Sequence, residues 1–145
     1  MRITNCTIND LENIYQIDKD IYGIGCYPKF VIRQFFDCFG ENIKIAVDDE
    51  KTIGFSINGI ANNSNVGWIL SLGVSLEYRR SGVGTKLLTE SIKEFRKKGI
   101  KIVKLTVHPE NPAYIMYKKN GFEDEKQFDN YYGDNEKRIL MALYL

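Results

Sequence analysis

Histidine occurs once, at His108, and proline three times. The three cysteines, Cys6, Cys26 and Cys38, are an odd number with no Cys-x-x-Cys spacing. With a single histidine they make no metal set, and they read as reduced thiols rather than a disulfide framework. Net charge is also scarce: 20 Lys and Arg against 19 Asp and Glu leave +1. So balanced a chain offers no broad field for nucleic acid or an anionic membrane. No apolar run reaches the ~20 residues of a membrane-spanning helix, and the N-terminus lacks a signal-peptide core. Repeats and low-complexity linkers are absent as well. What remains is 145 residues, 43% hydrophobic and 27% charged. That is enough for one globular domain, residues 1–145, with a core of its own and a place in the cytoplasm.

The informative stretch is LSLGVSLEYRRSGVGTKLL, residues 70–88. Residues 69–74 are apolar and β-branched enough for a buried strand. Residues 77–84 hold two arginines and two glycines. Apolar residues then return at Leu87, Leu88, Ile92 and Phe95, which is helical spacing. A strand therefore enters a glycine turn that opens a helix. The first N–H groups of a helix lack partners, and the macrodipole adds positive charge there, so phosphates bind at such ends. Gly82 and Gly84 let a ligand approach the backbone, and Arg79 and Arg80 add fixed positive charge. The order Gly84-Thr85-Lys86 breaks the Walker A pattern, and Leu87 stands where a dinucleotide fingerprint needs its third glycine.

Around this turn the coarse reading is β-α-α-β-β-β-α-β-α-β-β. Strands are expected at 2–6, 43–47, 52–61, 66–75, 100–107, 122–128 and 137–145. A first helix follows the capping residues 7–10, carries Leu11, Ile14, Tyr15 and Ile17 on one face, and ends near Gly23. A second starts at Pro28, presents Val31, Ile32, Phe35, Phe36 and Phe39, and ends at Gly40. The third runs from about Gly82 to Gly99. The fourth starts at Asn111-Pro112 and closes at Gly121. Residues 48–51 and 62–65 read as turns. The fold class is α/β (α+β): a mixed sheet of about seven strands, mostly antiparallel, with four helices on both faces.

Arg79-x-x-Gly82-x-Gly84 resembles the Arg/Gln-x-x-Gly-x-Gly/Ala signature of the GNAT acetyltransferases. Residues 111–122, Asn-Pro-Ala-Tyr-Ile-Met-Tyr-Lys-Lys-Asn-Gly-Phe, resemble that family's second hallmark, an Asn and a helix ending Tyr-x-x-x-Gly-Phe. Residues 69–74 with Tyr78-Arg79-Arg80, and Asn130-Tyr131-Tyr132 before residues 139–143, are similar to the protein N-terminal (Nα) acetyltransferases, including the ribosomal-protein alanine type. The resemblance implies acetyl-CoA as cofactor. Arg79, Arg80, Ser81, Gly82, Val83, Gly84 and Thr85 would surround its pyrophosphate. Leu72, Gly73 and Val74 would pair with the pantetheine arm as an added strand does. Asn111 and Tyr117 would also touch it.

The acceptor implied is a protein or peptide N-terminus, with Tyr27, Tyr131 and Tyr132 as its contacts. Tyr117 stands at the family's general acid, and a phenol stays protonated at neutral pH. Several relatives carry Glu or His midway along the fifth strand as base; here Thr106 stands there. His108, two residues on, shares its face if the strand continues, and imidazole accepts a proton in the right range. Glu110, or backbone carbonyls with ordered water, are the other bases. The subfamily's Phe-Pro pair is missing from residues 22–28, and Trp68 replaces a tyrosine. Two other functions stay open: acetylation of a small amine (a polyamine, amino acid or antibiotic), and acyl-CoA binding without catalysis. Residues 139–145 form an apolar run that the sheet can absorb, so a monomer or weak homodimer is expected.

Overall fold

Helical and extended segments follow the sequence order read above. The computed structural model describes residues 1–62 and 64–145; Asn63, in the expected 62–65 turn, lies outside the described residues. The elements are β1 (Arg2–Asn5), α1 (Leu11–Tyr22), α2 (Lys29–Phe39), β2 (Lys44–Asp48), β3 (Lys51–Ile60), β4 (Val66–Val74), α3 (Val83–Lys97), β5 (Ile102–Val107), α4 (Ala113–Lys119), β6 (Glu123–Phe128) and β7 (Arg138–Tyr144). Seven strands form one mixed sheet in the order β1-β2-β3-β4-β5-β7-β6. β4 and β5 run parallel, while β1–β2, β2–β3, β5–β7 and β6–β7 are antiparallel. Two compact units divide the chain: residues 1–59 with 71–94, and residues 60–70 with 95–145.

In the first unit, α1 begins where a carboxylate can catch free amides. Thr7 N–H donates to Asp10 Oδ2 at 2.7 Å, and Thr7 Oγ1 donates to the same oxygen at 2.8 Å. Gly23 ends the helix with φ +55°, a conformation that side chains resist. β3 is buried from Ile53 to Gly59 without alternation, so both its faces are covered. Two glycines show by what. A Cβ at Gly54 would lie 3.0 Å from the Leu87 side chain and 3.3 Å from Val83, both on α3. A Cβ at Gly73 would lie 2.8 Å from the Phe55 ring and 2.9 Å from Ile21 of α1. Gly54 and Phe55 point to opposite faces, so α3 and α1 cover opposite sides of this part of the sheet.

A buried polar cluster fixes α3 to β3. Asn58 Nδ2 donates to Asn42 O at 2.8 Å and to Ser91 Oγ at 3.0 Å, and Ser56 Oγ donates to Asn58 Oδ1 at 2.9 Å. A half-satisfied cluster would destabilise the core. Among the described residues no buried side-chain N or O lacks a partner.

In the second unit β5 alternates, with Val103, Leu105 and Val107 buried and Ile102, Lys104 and Thr106 facing the other way. β7 covers it along six paired residues, from Ile102–Tyr144 to Val107–Ile139. β6 is an exposed, charged edge, which discourages pairing with another chain. Gly67 of β4 is forced to be glycine: a Cβ there would sit 2.5 Å from the Phe95 ring.

Candidate active site

The phosphate turn lies in the first unit and is built from both its ends. A short 3-10 turn, Leu76–Tyr78, ends β4, and Arg79 is extended. Arg80 and Gly82 then take φ +62° and +84°. Alternation of this kind aims successive N–H groups inward as an anion nest. Ser81 Oγ donates to Tyr78 O and closes the turn. Val83, Leu87 and Leu88 are buried, so the start of α3 is held by its own apolar face. Lys86 N–H donates to Gly82 O at 3.0 Å and is the first amide that the helix uses. Those of Val83, Gly84 and Thr85 precede it and have no acceptor among the described residues. A Cβ built on Gly82 meets nothing within 4 Å, so the turn is open to its surroundings at that position. Arg79 and Arg80 are exposed, and neither pairs with a carboxylate among the described residues.

Beyond Leu70, the strand that feeds this turn has an edge that no other strand pairs with among the described residues. Ser75 N–H donates to Ile53 O of β3 at 2.8 Å. By the two-residue period, Leu72 and Val74 point their backbone groups away from β3. The β4–β5 ladder covers Val66, Gly67 and Trp68 and stops there. An extended, amide-rich ligand can therefore add to β4 at Leu72 and Val74. Tyr22 Oη already donates to Leu72 O at 3.4 Å. Gly73 faces inward, where the Phe55 ring fills the space of a side chain.

The second unit holds the expected chemical groups. Tyr117 on α4 is 6% exposed, and its ring meets Phe122 edge to face at 5.7 Å. Asn111 Oδ1 accepts from Ala113 N–H at 2.9 Å and so caps α4; its Nδ2 protons are not used in that cap. β5 ends at Val107, so His108 stands in the following turn and not on the strand. There His108 Nδ1 accepts from Glu110 N–H at 3.1 Å. In the neutral ring that assignment puts the proton on Nε2 and leaves no second lone pair to act as base.

Thr106 instead finds a tyrosine. Its Oγ1 lies 3.4 Å from Tyr132 Oη. Tyr131 meets both Tyr132 and Phe128 edge to face, each at 5.0 Å, and the Arg138 guanidinium lies 5.3 Å from the Tyr132 ring centre. A hairpin staples the pair in place. Tyr131 N–H donates to Glu136 O at 2.9 Å, Asn135 N–H donates to Asn130 Oδ1 at 2.8 Å, and Gly133, Asp134 and Asn135 all have positive φ.

The residues 11–122 match the family model described as the Acetyltransferase (GNAT) family. The chain belongs to the GNAT acetyltransferases. An uncharacterized N-acetyltransferase of Methanocaldococcus jannaschii is 31% identical over 97% of this chain and 90% of its own length. An N-alpha-acetyltransferase of Sulfurisphaera tokodaii is 29% identical over 97% of this chain and 91% of that one. Ard1 from Thermoplasma volcanium superposes with a TM-score of 0.92 at 23% identity, over 99% of this chain and 97% of that one, which shows the fold. This GNAT protein is accordingly an N-acetyltransferase that draws on acetyl-CoA. Its open glycine turn, unspent amides and unpaired β4 edge fit that donor.

Three groups near Tyr27 and Leu72 take no role from the sequence motifs: Asp18, Tyr22 and Ser71. Tyr27 packs its ring edge to face on Phe35 at 5.1 Å and donates its N–H to Asp18 Oδ2 at 2.8 Å. No group of three or more His, Cys, Asp or Glu suited to a metal occurs among the described residues. No described helix is long and apolar enough to cross a membrane.

Proposed function

We propose that this acetyltransferase, residues 1–145 working as one domain, modifies the N-terminal α-amine of proteins or peptides in the cytoplasm. The observation that carries the reading is the stapled Tyr131–Tyr132 pair, with Tyr132 in reach of Thr106. A preset aromatic pair beside a polar strand residue suits a peptide backbone, with the rings flanking the chain and the phenols offering hydrogen bonds. Support comes from the curated relatives called N-alpha-acetyltransferases, which align over 97% of this chain.

Acetyl-CoA supplies, when bound, an activated thioester carbonyl. Residues 79–85 hold its diphosphate by charge and by backbone N–H groups. Leu72 and Val74 would fix the arm through the β4 edge, Gly73 leaves the room behind them to Phe55 and Ile21, and Asn111 would add a side-chain amide. Tyr117 keeps a proton on its phenol oxygen for the departing sulfur. The amine's proton leaves through ordered water and backbone carbonyls. His108 serves only if it gives up the Glu110 N–H bond. Tyr27, Tyr131 and Tyr132 hold the incoming chain.

The test is mass spectrometry of acetyl-CoA reactions with a peptide library of varied first residues, beside polyamines and free amino acids. Acetylation of free α-amines, with N-blocked peptides inert, is the expected result. Turnover of polyamines or amino acids alone would overturn the acceptor assignment and leave the acetyltransferase intact.

A further inference from the structure

We infer that Asp18 is a positioning residue that ties the α1–α2 loop to β4 and so sets the acceptor site; this rests on the N-terminal acetyltransferase reading. On α1 the stripe Ile14, Ile17, Asp18, Ile21 faces inward, and Asp18 is 1% exposed. A carboxylate at such a place costs several kcal/mol of desolvation unless its oxygens are used. Both are. Oδ2 accepts the Tyr27 N–H at 2.8 Å, and Oδ1 accepts the Ser71 hydroxyl at 3.3 Å. Burial raises the Asp18 pKa, in keeping with a group chosen for geometry over charge.

The glycine stretch of the loop between α1 and α2 packs loosely. A Cβ on Gly23 or Gly25 would touch nothing within 4 Å, and Ile24 between them is fully exposed. Cys26 N–H bonds only back to Gly23 O, at 3.1 Å. The loop's firm points are Tyr27, through the Asp18 carboxylate, and the Tyr27 ring on Phe35. The other arm of the carboxylate reaches Ser71, next to Leu72, whose carbonyl takes the Tyr22 hydroxyl. One side chain thus refers the acceptor-side tyrosine to the β4 edge where the thioester arm is to lie.

The geometry separates substitutions. Asparagine keeps an oxygen for Tyr27 N–H and turns its amide protons toward Ser71 Oγ, so both links survive. Alanine breaks both. Hydrogen exchange at the Tyr27 amide reads the tether without any acceptor. In Asp18→Ala its protection should fall at least tenfold, roughly the loss of one net hydrogen bond, and return in Asp18→Asn. With a free-amine library peptide that the wild-type enzyme acetylates, Asp18→Ala should raise acceptor KM about tenfold or more while kcat changes under about threefold, the signature of lost uniform binding. Coenzyme A affinity by calorimetry should stay within about twofold. Ser71→Ala, which cuts one arm, carries the test if Asp18→Ala does not fold: acceptor KM should rise without loss of coenzyme A affinity.

Unchanged Tyr27 exchange in Asp18→Ala, or Asp18→Asn as impaired as Asp18→Ala, overturns the tether. Equal losses of coenzyme A and acceptor binding overturn it too, since they mark a general structural role. A wild-type enzyme that ignores every α-amine would sink the acceptor reading, yet leave the exchange result standing on its own.

Discussion

Gly82 is where the cofactor assignment is most exposed to test. Its φ is +84°, and a Cβ there meets nothing within 4 Å. Substitution therefore strains the backbone without a clash. Placing a side chain in the left-handed region costs about 1–2 kcal/mol. For 145 residues that lowers Tm by roughly 3–7 °C. The same strain is available elsewhere as a control. Gly99, past the other end of α3, has φ +76° and equally open space. Gly82→Ala and Gly99→Ala should melt alike.

Binding should tell them apart. A methyl at Gly82 strains the φ +84° turn and so shifts the neighbouring amides, which have no acceptor among the described residues. Hydrogen bonds to a charged group are worth about 1.5–3 kcal/mol each, so losing one or two weakens Kd by about ten- to ten-thousandfold. Gly82→Val should be at the far end of that range, and Gly99→Ala should bind normally. Isothermal calorimetry with coenzyme A, beside thermal unfolding, measures both effects. If Gly82→Ala binds within twofold of wild type, or if Gly99→Ala loses as much affinity, the turn does not grip the diphosphate and the reasoning fails.

Tyr117→Phe keeps the ring against Phe122 but removes the proton held for sulfur; kcat should fall about a hundredfold, with coenzyme A affinity nearly unchanged, in steady-state and calorimetric assays. Unaltered turnover would remove Tyr117 from catalysis. Burial raises the folded-state pKa of Asp18 above the ordinary carboxylate range. Below that range both folded and unfolded chains hold the proton; as pH rises through it the unfolded chain ionises first, and the folded state loses stability until its own raised pKa is passed. Asparagine does not titrate, so the stability of Asp18→Asn relative to wild type should increase from acid to neutral pH in thermal unfolding, and a pH-independent difference would refute it.

The element order was legible because its signals are local. Each helix carries its own start and stop, as with Thr7–Asp10 before α1 and Gly23 after it, and the glycine turn announces itself by spacing alone. Sidedness at the site was less legible. Whether His108 continues β5 depends on where β5 stops, and the Glu110 N–H that takes its Nδ1 is a tertiary detail of the turn. The meeting of Thr106 with Tyr132 joins residues 26 positions apart through strand register. Asp18 did leave a trace: an acid within the apolar stripe Ile14, Ile17, Ile21 breaks the helical pattern. The pattern marks a buried polar group, but not that it answers to Tyr27 and Ser71, one of them 53 residues away.

The base, or the want of one, bears on the acceptor. Thr106 stands at the β5 position expected for a base, and the group it meets, Tyr132 Oη, is a second hydroxyl rather than a carboxylate or imidazole. The imidazole nearest to them in sequence has its Nδ1 engaged. A site so equipped must find its nucleophile largely neutral already. An α-amine, with pKa about 7.7–8.0, is roughly a quarter neutral near pH 7.4, whereas an alkylamine of the lysine type, with pKa about 10.4, is neutral about one time in a thousand. The difference, near 300-fold in reactive amine, is about the size of the contribution a good general base makes. Thr106 in place of a strong base is therefore tolerable for a protein N-terminus and crippling for a polyamine, and the want of a base on β5 and its following turn favours the α-amine by an argument separate from the packing of the tyrosine pair.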